Sequence, residues 1–415
     1  MKKIISKLMG GVLLFSLSMS LTSCEGALDD ILGEWSRPTP GSSTGGAVAV
    51  TGIDLDADEM TLAVGDKGQL NITDVAPADA TDKTVSWSSN QEAIATVDAS
   101  GLVTAVAAGT AVITATANDG SGVKATCTVT VKIPGLLAGK FSVSATEKVQ
   151  FSQGNLQAKI ASYASNAATA SEWKFADSQY SYIGNAAGNN SFAVDTWVDL
   201  FSWVGNSADN DTYGLITFTS STQANHGNVA SESLKTDWGK LAISNGGNTA
   251  NSGWRTLTGG DSGEWKYLLD SRTTATTNMP TGTNSSEARY TKATVAGVSG
   301  VILFPDNYAH PAGVTVTVSE AAYNTANKAY NTFTVDAPNW STMEEAGCVF
   351  LPAAGLRNGT TVTNAGLSGY YCSSSPNSSD AGRAFNVYFE SDNLSTGNGH
   401  RYLAFSVRLV RDVAE

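Results

Sequence analysis

Between residues 349 and 411 the chain repeats one pattern. Short runs in which apolar and polar residues alternate are separated by clusters of Gly, Ser and Asn. The runs cover 349–355, 369–375, 384–389 and 405–411. Successive side chains of an extended backbone point to opposite faces, so a period of two is the pattern of half-buried strands joined by loops. Two intervening loops, 373–383 and 391–402, carry isolated Tyr, His, Arg and Asp among Ser, Asn and Gly. Loops held on a rigid sheet are where recognition residues are usually placed.

The whole chain fits the same class. Its 415 residues allow two or three domains, and 41 glycines with only 15% charged residues favour loop-rich β structure over helical bundles. A net charge of −13 excludes nucleic acid as a partner, because phosphate backbones are met by basic patches. None of the four cysteines has zinc-ligand spacing, and no cofactor or metal is expected.

The chain opens with Lys2, Lys3 and Lys7, an apolar stretch over 11–21, and then Leu21-Thr22-Ser23-Cys24. A basic start, a short apolar core and small residues before a break describe a secretory signal. The last four residues resemble a bacterial lipobox, which implies cleavage before Cys24 and lipidation of its thiol. The resemblance assigns 1–23 to a signal peptide and anchors the chain in an outer membrane, exported to the cell surface. Glu25, Asp29 and Asp30 are similar to surface-export signals of Bacteroidetes lipoproteins. Residues 24–47 are rich in Pro, Gly, Ser and Thr and read as a flexible tether.

From 48 to 133 short alternating runs follow one another, at 60–64, 84–88, 93–97, 110–117 and 123–131. The segments Val85-Ser86-Trp87-Ser88-Ser89, Ile94-Ala95-Thr96-Val97-Asp98 and Gly101-Leu102-Val103-Thr104-Ala105 resemble bacterial Ig-like group 2 domains. That resemblance implies a β-sandwich with Trp87 in its core, used as a stalk or adhesin module. Cys127 alternates with strand residues and is expected to be a buried small hydrophobe. Asp54, Asp56, Asp58 and Glu59 read as a solvated strand edge, since no glycine-turned calcium loop follows them. Ile133-Pro134-Gly135 marks the break before the next domain.

In that domain, 136–415, strands are expected at 141–144 and 148–156. Tyr180, Phe192, Trp197, Phe201 and Trp203 form an aromatic stretch that either fills a core, the commoner case, or lines a sugar platform. Trp265, Leu268, Leu269 and Arg272 fall at helical spacing, with Asp261 or Ser262 available as cap. The run 300–305 reads as a buried strand. A second helix is expected at 340–347, capped by Ser341 and ended by Gly347.

The order of these elements resembles the C-type lectin-like fold, within the branch of the Fibrobacter major paralogous domain and the formylglycine-generating-enzyme-like proteins. The residues that carry it are Glu264-Trp265, Leu351-Pro352-Ala353-Ala354-Gly355 and Phe405-Ser406-Val407-Arg408. The expected fold is mainly β: an Ig-like β-sandwich followed by an α+β C-type lectin-like domain with loop-rich insertions.

Catalysis finds little support in the sequence. Cys348 and Cys372 lie outside the motif context of formylglycine-generating enzymes, and export to an oxidising compartment permits a bridge between them. His226, His310 and His400 are scattered, and no nucleophile elbow is present. Glu264 and Asp261 are the first suspects as paired carboxylates, but a helix N-terminal turn accounts for both. Residues 383–411 resemble the variable region of diversity-generating retroelement proteins, with Phe389, Phe405 and Val407 as buried framework. The resemblance implies binding of a surface protein or glycan, and the candidate contacts are Tyr371, Asp380, Arg383, Phe385, Tyr388, Asp392, His400 and Tyr402. The alternatives are a structural adhesin or pilus-like component whose loops have no specific ligand, or a degenerate enzyme of the formylglycine-generating type.

Overall fold

A computed structural model of the chain describes residues 46–164, 167–185, 187–203, 217–218, 237–280, 288–318, 329–390 and 394–413. The signal peptide, Cys24 and nearly all of the tether lie outside these residues, as do His226 and Asp392. Strands take 45% of the structure and helices 8%, which makes the fold mainly β.

The alternation over 48–133 produces two facing sheets, beside a two-stranded one that pairs Gly52–Leu55 with Ile72–Ala76. One has the order Glu59–Ala63, Lys124–Lys132, Gly109–Ala117, Val85–Ser89, with its first pair parallel. The other holds Lys67–Gln69, Leu102–Ala105 and Ala95–Val97. Along Gly109–Ala117 buried and half-buried residues alternate, so Ala111, Ile113 and Ala115 face inward. They meet Cys127 and Val129 from the neighbouring strand, and Ala95, Val103 and Ala105 from the opposite sheet. Cys127 is a free buried thiol, as its strand position requires. Trp87 packs on this core from its edge and is only half-buried. Asp54, Asp56, Asp58 and Glu59 are all exposed, and the Asp56 carboxylate accepts from Asn71 N and Nδ2 at 2.9 and 2.7 Å.

Among the described residues, no strand of this sandwich pairs with a strand beyond Phe141. The break at Ile133-Pro134-Gly135 is a packed joint, since Ile133 and Leu136 lie against a core of the following region.

Among the described residues, that region is built from five further sheets. The largest runs in the order Thr317–Val318, Ala329–Val335, Tyr290–Val295, Val298–Leu303, Val349–Pro352 and is antiparallel except where Tyr290–Val295 meets Ala329–Val335. Another sheet sets Leu409–Asp412 between Lys148–Phe151 and Trp254–Thr256. A three-stranded sheet, Gly369–Pro376, Arg383–Phe389 and Leu394–His400, carries most of the candidate contacts. The expected aromatic stretch is mainly core: Phe192, Phe201 and Trp203 are buried, while Tyr180 and Trp197 are half-buried.

Four local expectations are corrected. The first helix starts at Glu264 after Gly263, and neither Asp261 nor Ser262 caps it. Thr258 takes that role instead, its Oγ1 accepting from Glu264 N at 3.0 Å. The helix then widens into a π-turn over Tyr267–Ser271. The second helix spans Ala337–Glu345 and is capped by Asp336, whose Oδ1 accepts from Asn339 N at 2.9 Å, so Ser341 sits inside it. The expected loop 391–402 contains the strand Leu394–His400. The closing run breaks at Ser406 into Ala404–Phe405 and Leu409–Asp412, which join different sheets.

Two polar chains cross these cores. Arg408 is fully buried, and its Nη2 donates to Gln179 Oε1 at 2.7 Å while Nη1 reaches Asn155 Oδ1 at 3.4 Å. Gln179 also accepts from Phe350 N at 2.7 Å and donates to Glu344 Oε2 at 2.9 Å. Burial pulls the Arg408 pKa down to about 10, which still leaves it charged at neutral pH. In the second chain, His310 faces Val314 O at 3.2 Å and the Tyr308 hydroxyl at 2.9 Å. The carbonyl can only accept, so Nε2 carries the proton and Nδ1 accepts from Tyr308.

Arg408→Leu is expected to cost roughly 2–4 kcal/mol, since each buried amide left without its partner costs about 1–3 kcal/mol. The midpoint of urea unfolding reads this. Burial holds the His310 pKa below its ordinary 6.5. The unfolded chain therefore binds the extra proton first as pH falls, and stability is lost below about pH 6.5. Between about pH 8 and pH 5.5, His310→Gln should lose less stability than the parent chain in the same unfolding assay.

Candidate functional site

The strand Arg383–Phe389 pairs in unbroken register with Leu394–His400, from Arg383 opposite His400 to Phe389 opposite Leu394. Alternation therefore sorts the candidate residues onto two faces. Arg383, Phe385, Val387 and Phe389 share one face with Asn398 and His400. Ala384, Asn386 and Tyr388 lie on the other.

On the first face burial falls off toward the strand's start. Val387 and Phe389 are core, whereas Phe385 and Arg383 are half-buried. Arg383 is held at several points. Its Nε lies 3.2 Å from Asp380 Oδ2, and its Nη2 lies 3.2 Å from His400 Nε2. A guanidinium only donates, so His400 Nε2 is the acceptor and the neutral ring carries its proton on Nδ1. The His400 ring stacks on Tyr402, with centroids 4.9 Å apart and planes 13° from parallel.

The connecting turn is fixed by its own short side chains. Ser379 N donates to Asn377 Oδ1, and Gly382 N to Asp380 Oδ1, both at 2.9 Å. These are the local bonds by which Asn and Asp shape turns. Arg401, buried and lying over the Trp203 ring, holds the same turn through Ala381 O at 3.2 Å.

Phe385 borders a groove of about 510 Å³. One wall is the turn 258–263 and the other is 375–379. The walls are tied at their base, where Ser374 N donates to Leu257 O at 2.9 Å and Gly259 N to Ser375 Oγ at 3.1 Å. A side chain at Gly259 would fall 2.5 Å from Phe385 Cβ, and Gly260 combines φ +99° with the Phe385 ring 3.2 Å from where a Cβ would be. Neither position tolerates a larger residue. Glu264 fixes the turn from behind, accepting from Arg255 Nη2 and Nη1 at 2.6 and 2.9 Å and from Thr258 N at 2.8 Å.

Five of the eight candidates, Asp380, Arg383, Phe385, His400 and Tyr402, thus occupy one region. Tyr388 does not join them. Its ring stacks on Tyr370 at 6.4 Å, and Tyr370 stacks in turn on Phe405 at 5.3 Å, on the opposite face. Tyr371 is corrected outright: it is fully buried, and its hydroxyl donates to Pro352 O at 2.9 Å. Cys372 and Val387, in the same two strands, are buried as well. Phe389, Phe405 and Val407 are buried, as framework residues should be. Sequence reasoning did not connect the 258–263 turn with Phe385. Its glycines were visible, but only the folded topology brings them to a strand more than a hundred residues away.

Of the two carboxylate suspects, Asp261 is exposed on the groove wall. Glu264 is committed to Arg255 and Thr258. Cys348 and Cys372 are free thiols buried in separate cores, so the bridge between them is not formed. Burial pushes both thiols well above their ordinary range, away from thiolate reactivity. Among the described residues, no three His, Cys, Asp or Glu side chains cluster as a metal-ligand set. No described helix is long and apolar enough to cross a membrane.

Comparison with known proteins is informative for the first domain. The bacterial Ig-like domain family (group 2) matches residues 49–129. An Ig-like virion protein of Serratia phage KSP90 is 47% identical over 89 residues, which are 21% of this chain and 34% of that protein. An alpha-L-arabinofuranosidase of Bifidobacterium longum subsp. longum is 44% identical over 111 residues, 26% of this chain and 10% of the enzyme. The likeness to such glycosidases runs through Ig-like regions. Domains 4 and 5 of the S-layer protein SbsC align at 23% identity with a TM-score of 0.17, over 20% of this chain and 52% of theirs. The chain spans a tenth of the arabinofuranosidase and a third of the virion protein. Residues 49–129 form a bacterial Ig-like domain of group 2.

Proposed function

We propose that this chain is a lipid-anchored bacterial surface protein whose Ig-like domain spaces a C-terminal, C-type lectin-like domain away from the membrane, and that the latter binds a surface ligand without catalysis. The observation that carries the binding reading is the gathering of Asp380, Arg383, Phe385, His400 and Tyr402 beside a groove whose turns are fixed by their own hydrogen bonds. Rigid aromatic and planar side chains give contact area at low entropic cost, and Ser and Asn add adaptable hydrogen bonds. The lipobox-like Cys24 and the relatedness of 49–129 to an Ig-like virion protein support display outside the cell. The committed Glu264 and the buried thiols support a role without catalysis.

One experiment tests anchor and site together, with the full chain expressed in a Gram-negative host and adhesion scored on epithelial monolayers and a panel of bacterial cells. Cys24→Ala should release the chain into the medium. A triple variant, Arg383→Ala, His400→Ala and Tyr402→Ala, should stay folded by circular dichroism and lower adhesion about tenfold. Tyr388→Ala, on the opposite face, should leave adhesion unchanged. Full adhesion by the folded triple variant would remove this region as the site.

A finer reading is that a retroelement diversifies the segment 383–411. The half-buried and exposed positions Arg383, Phe385, Tyr388, Asn398 and His400 can change without touching Phe389, Phe405 or Val407. A genomic repeat of these codons beside a reverse transcriptase gene is expected, and its absence counts against diversification while leaving binding intact.

A further inference from the structure

The groove beside Phe385 has a lining that narrows its ligand. At about 510 Å³ it falls in the size range of small-molecule sites. Its walls present the Ser262, Ser378 and Ser379 hydroxyls, the Asn377 amide, the Asp261 carboxylate and one aromatic ring, Phe385, while the Thr258 and Ser375 hydroxyls are engaged within the walls. Among the described residues that line it there is no Lys, Arg or His. Asn377 Oδ1 is held by Ser379 N at 2.9 Å, which leaves the Nδ2 donor for a ligand.

Each ligand class meets this lining differently. Phosphate, sulfate or carboxylate groups would face Asp261 with no cation in the lining, in a chain of net charge −13. The guanidinium of Arg383, two residues along the strand, is already engaged by Asp380 and His400. An aliphatic ligand would cover the hydroxyls and amide without replacing their hydrogen bonds to water. A neutral ligand with many hydroxyls satisfies groups that both donate and accept, and the C–H face of a sugar ring suits an aromatic surface.

We propose that this groove binds a neutral saccharide, with Phe385 against one sugar ring and Asp261 and Asn377 bonded to its hydroxyls. The proposal rests on the surface-binding reading and assigns it a ligand class. The walls are tied together at Gly259–Ser375 and Leu257–Ser374, so the site is formed before the ligand arrives.

The test applies the purified full chain to an array of neutral, sialylated and sulfated saccharides. Binding to neutral members is expected, weakened about tenfold by Phe385→Ala. Because Phe385 also packs on Gly260, a second variant is needed: Ser262→Trp, at an exposed position on the lip, should fill the groove and abolish binding in a folded chain. Signal confined to acidic saccharides, no saccharide signal, or neutral binding retained by both variants would overturn the proposal. Adhesion to the same epithelial and bacterial cells is measured before and after periodate oxidation of their glycans. Loss after oxidation supports a saccharide. Adhesion that survives oxidation yet needs Arg383, His400 and Tyr402 keeps the surface-binding reading and removes the saccharide, whereas no adhesion to untreated cells removes both.

Discussion

A buried cation, Arg408, ties the elements of the C-terminal region together. Arg408 has no carboxylate within ion-pair distance among the described residues, and its hydrogen bonds go to the neutral side chains of Gln179 and Asn155. Taking a guanidinium out of water is costly, so these bonds have to be in place for the fold to close around it. Each partner is tied further out. Gln179 holds Phe350 N and Glu344, and Glu344 accepts from Trp340 Nε1 at 3.2 Å. Asn155 Nδ2 donates to the Tyr371 hydroxyl at 3.3 Å, and that hydroxyl bonds Pro352 O. The second helix, the central sheet and the sheet bearing the candidate site are thereby set against a single residue.

This arrangement explains why Tyr371 is not a contact residue although it sits in a polar-looking run. Its hydroxyl is a structural acceptor and donor for the Arg408 cluster, and burial pushes its pKa well above the ordinary tyrosine range. The same strand carries half-buried Tyr370 on its other face, which stacks with Tyr388 and Phe405. The sheet therefore presents two separate aromatic surfaces, and only the one around Phe385 borders the groove.

Much of this architecture was legible where one face of a strand is buried. The alternation in Gly109–Ala117 is the imprint of a core on one side, whereas Arg383–Phe389 buries Ala384 on one face and Val387 and Phe389 on the other, and both strands form. Leu394–His400 was missed because its residues, Leu-Ser-Thr-Gly-Asn-Gly-His, carry almost no apolar alternation; its pairing partner specifies it. The second helix began four residues before its expected cap because Asp336 followed by Pro338 in the first turn outweighs Ser341. Within the site, residue types that favour contact were readable, but which face each occupied was not. Tyr371 and Tyr388 are chemically alike, and only register separates the buried one from the half-buried one. The groove was beyond reach from sequence because its walls are remote along the chain.

Leu409–Asp412 runs between Lys148–Phe151 and Trp254–Thr256. The strands on either side of it come from the opening and the middle of the region, and Lys148–Phe151 is paired on its other edge with Phe141–Ser142, so Leu409–Asp412 is what joins that pair to Trp254–Thr256. Without it each would present a bare edge that invites pairing with other chains. Removing Leu409–Asp412 would open two sheet edges at once, and losing Arg408 with it would also leave Gln179 and Asn155 without their shared donor.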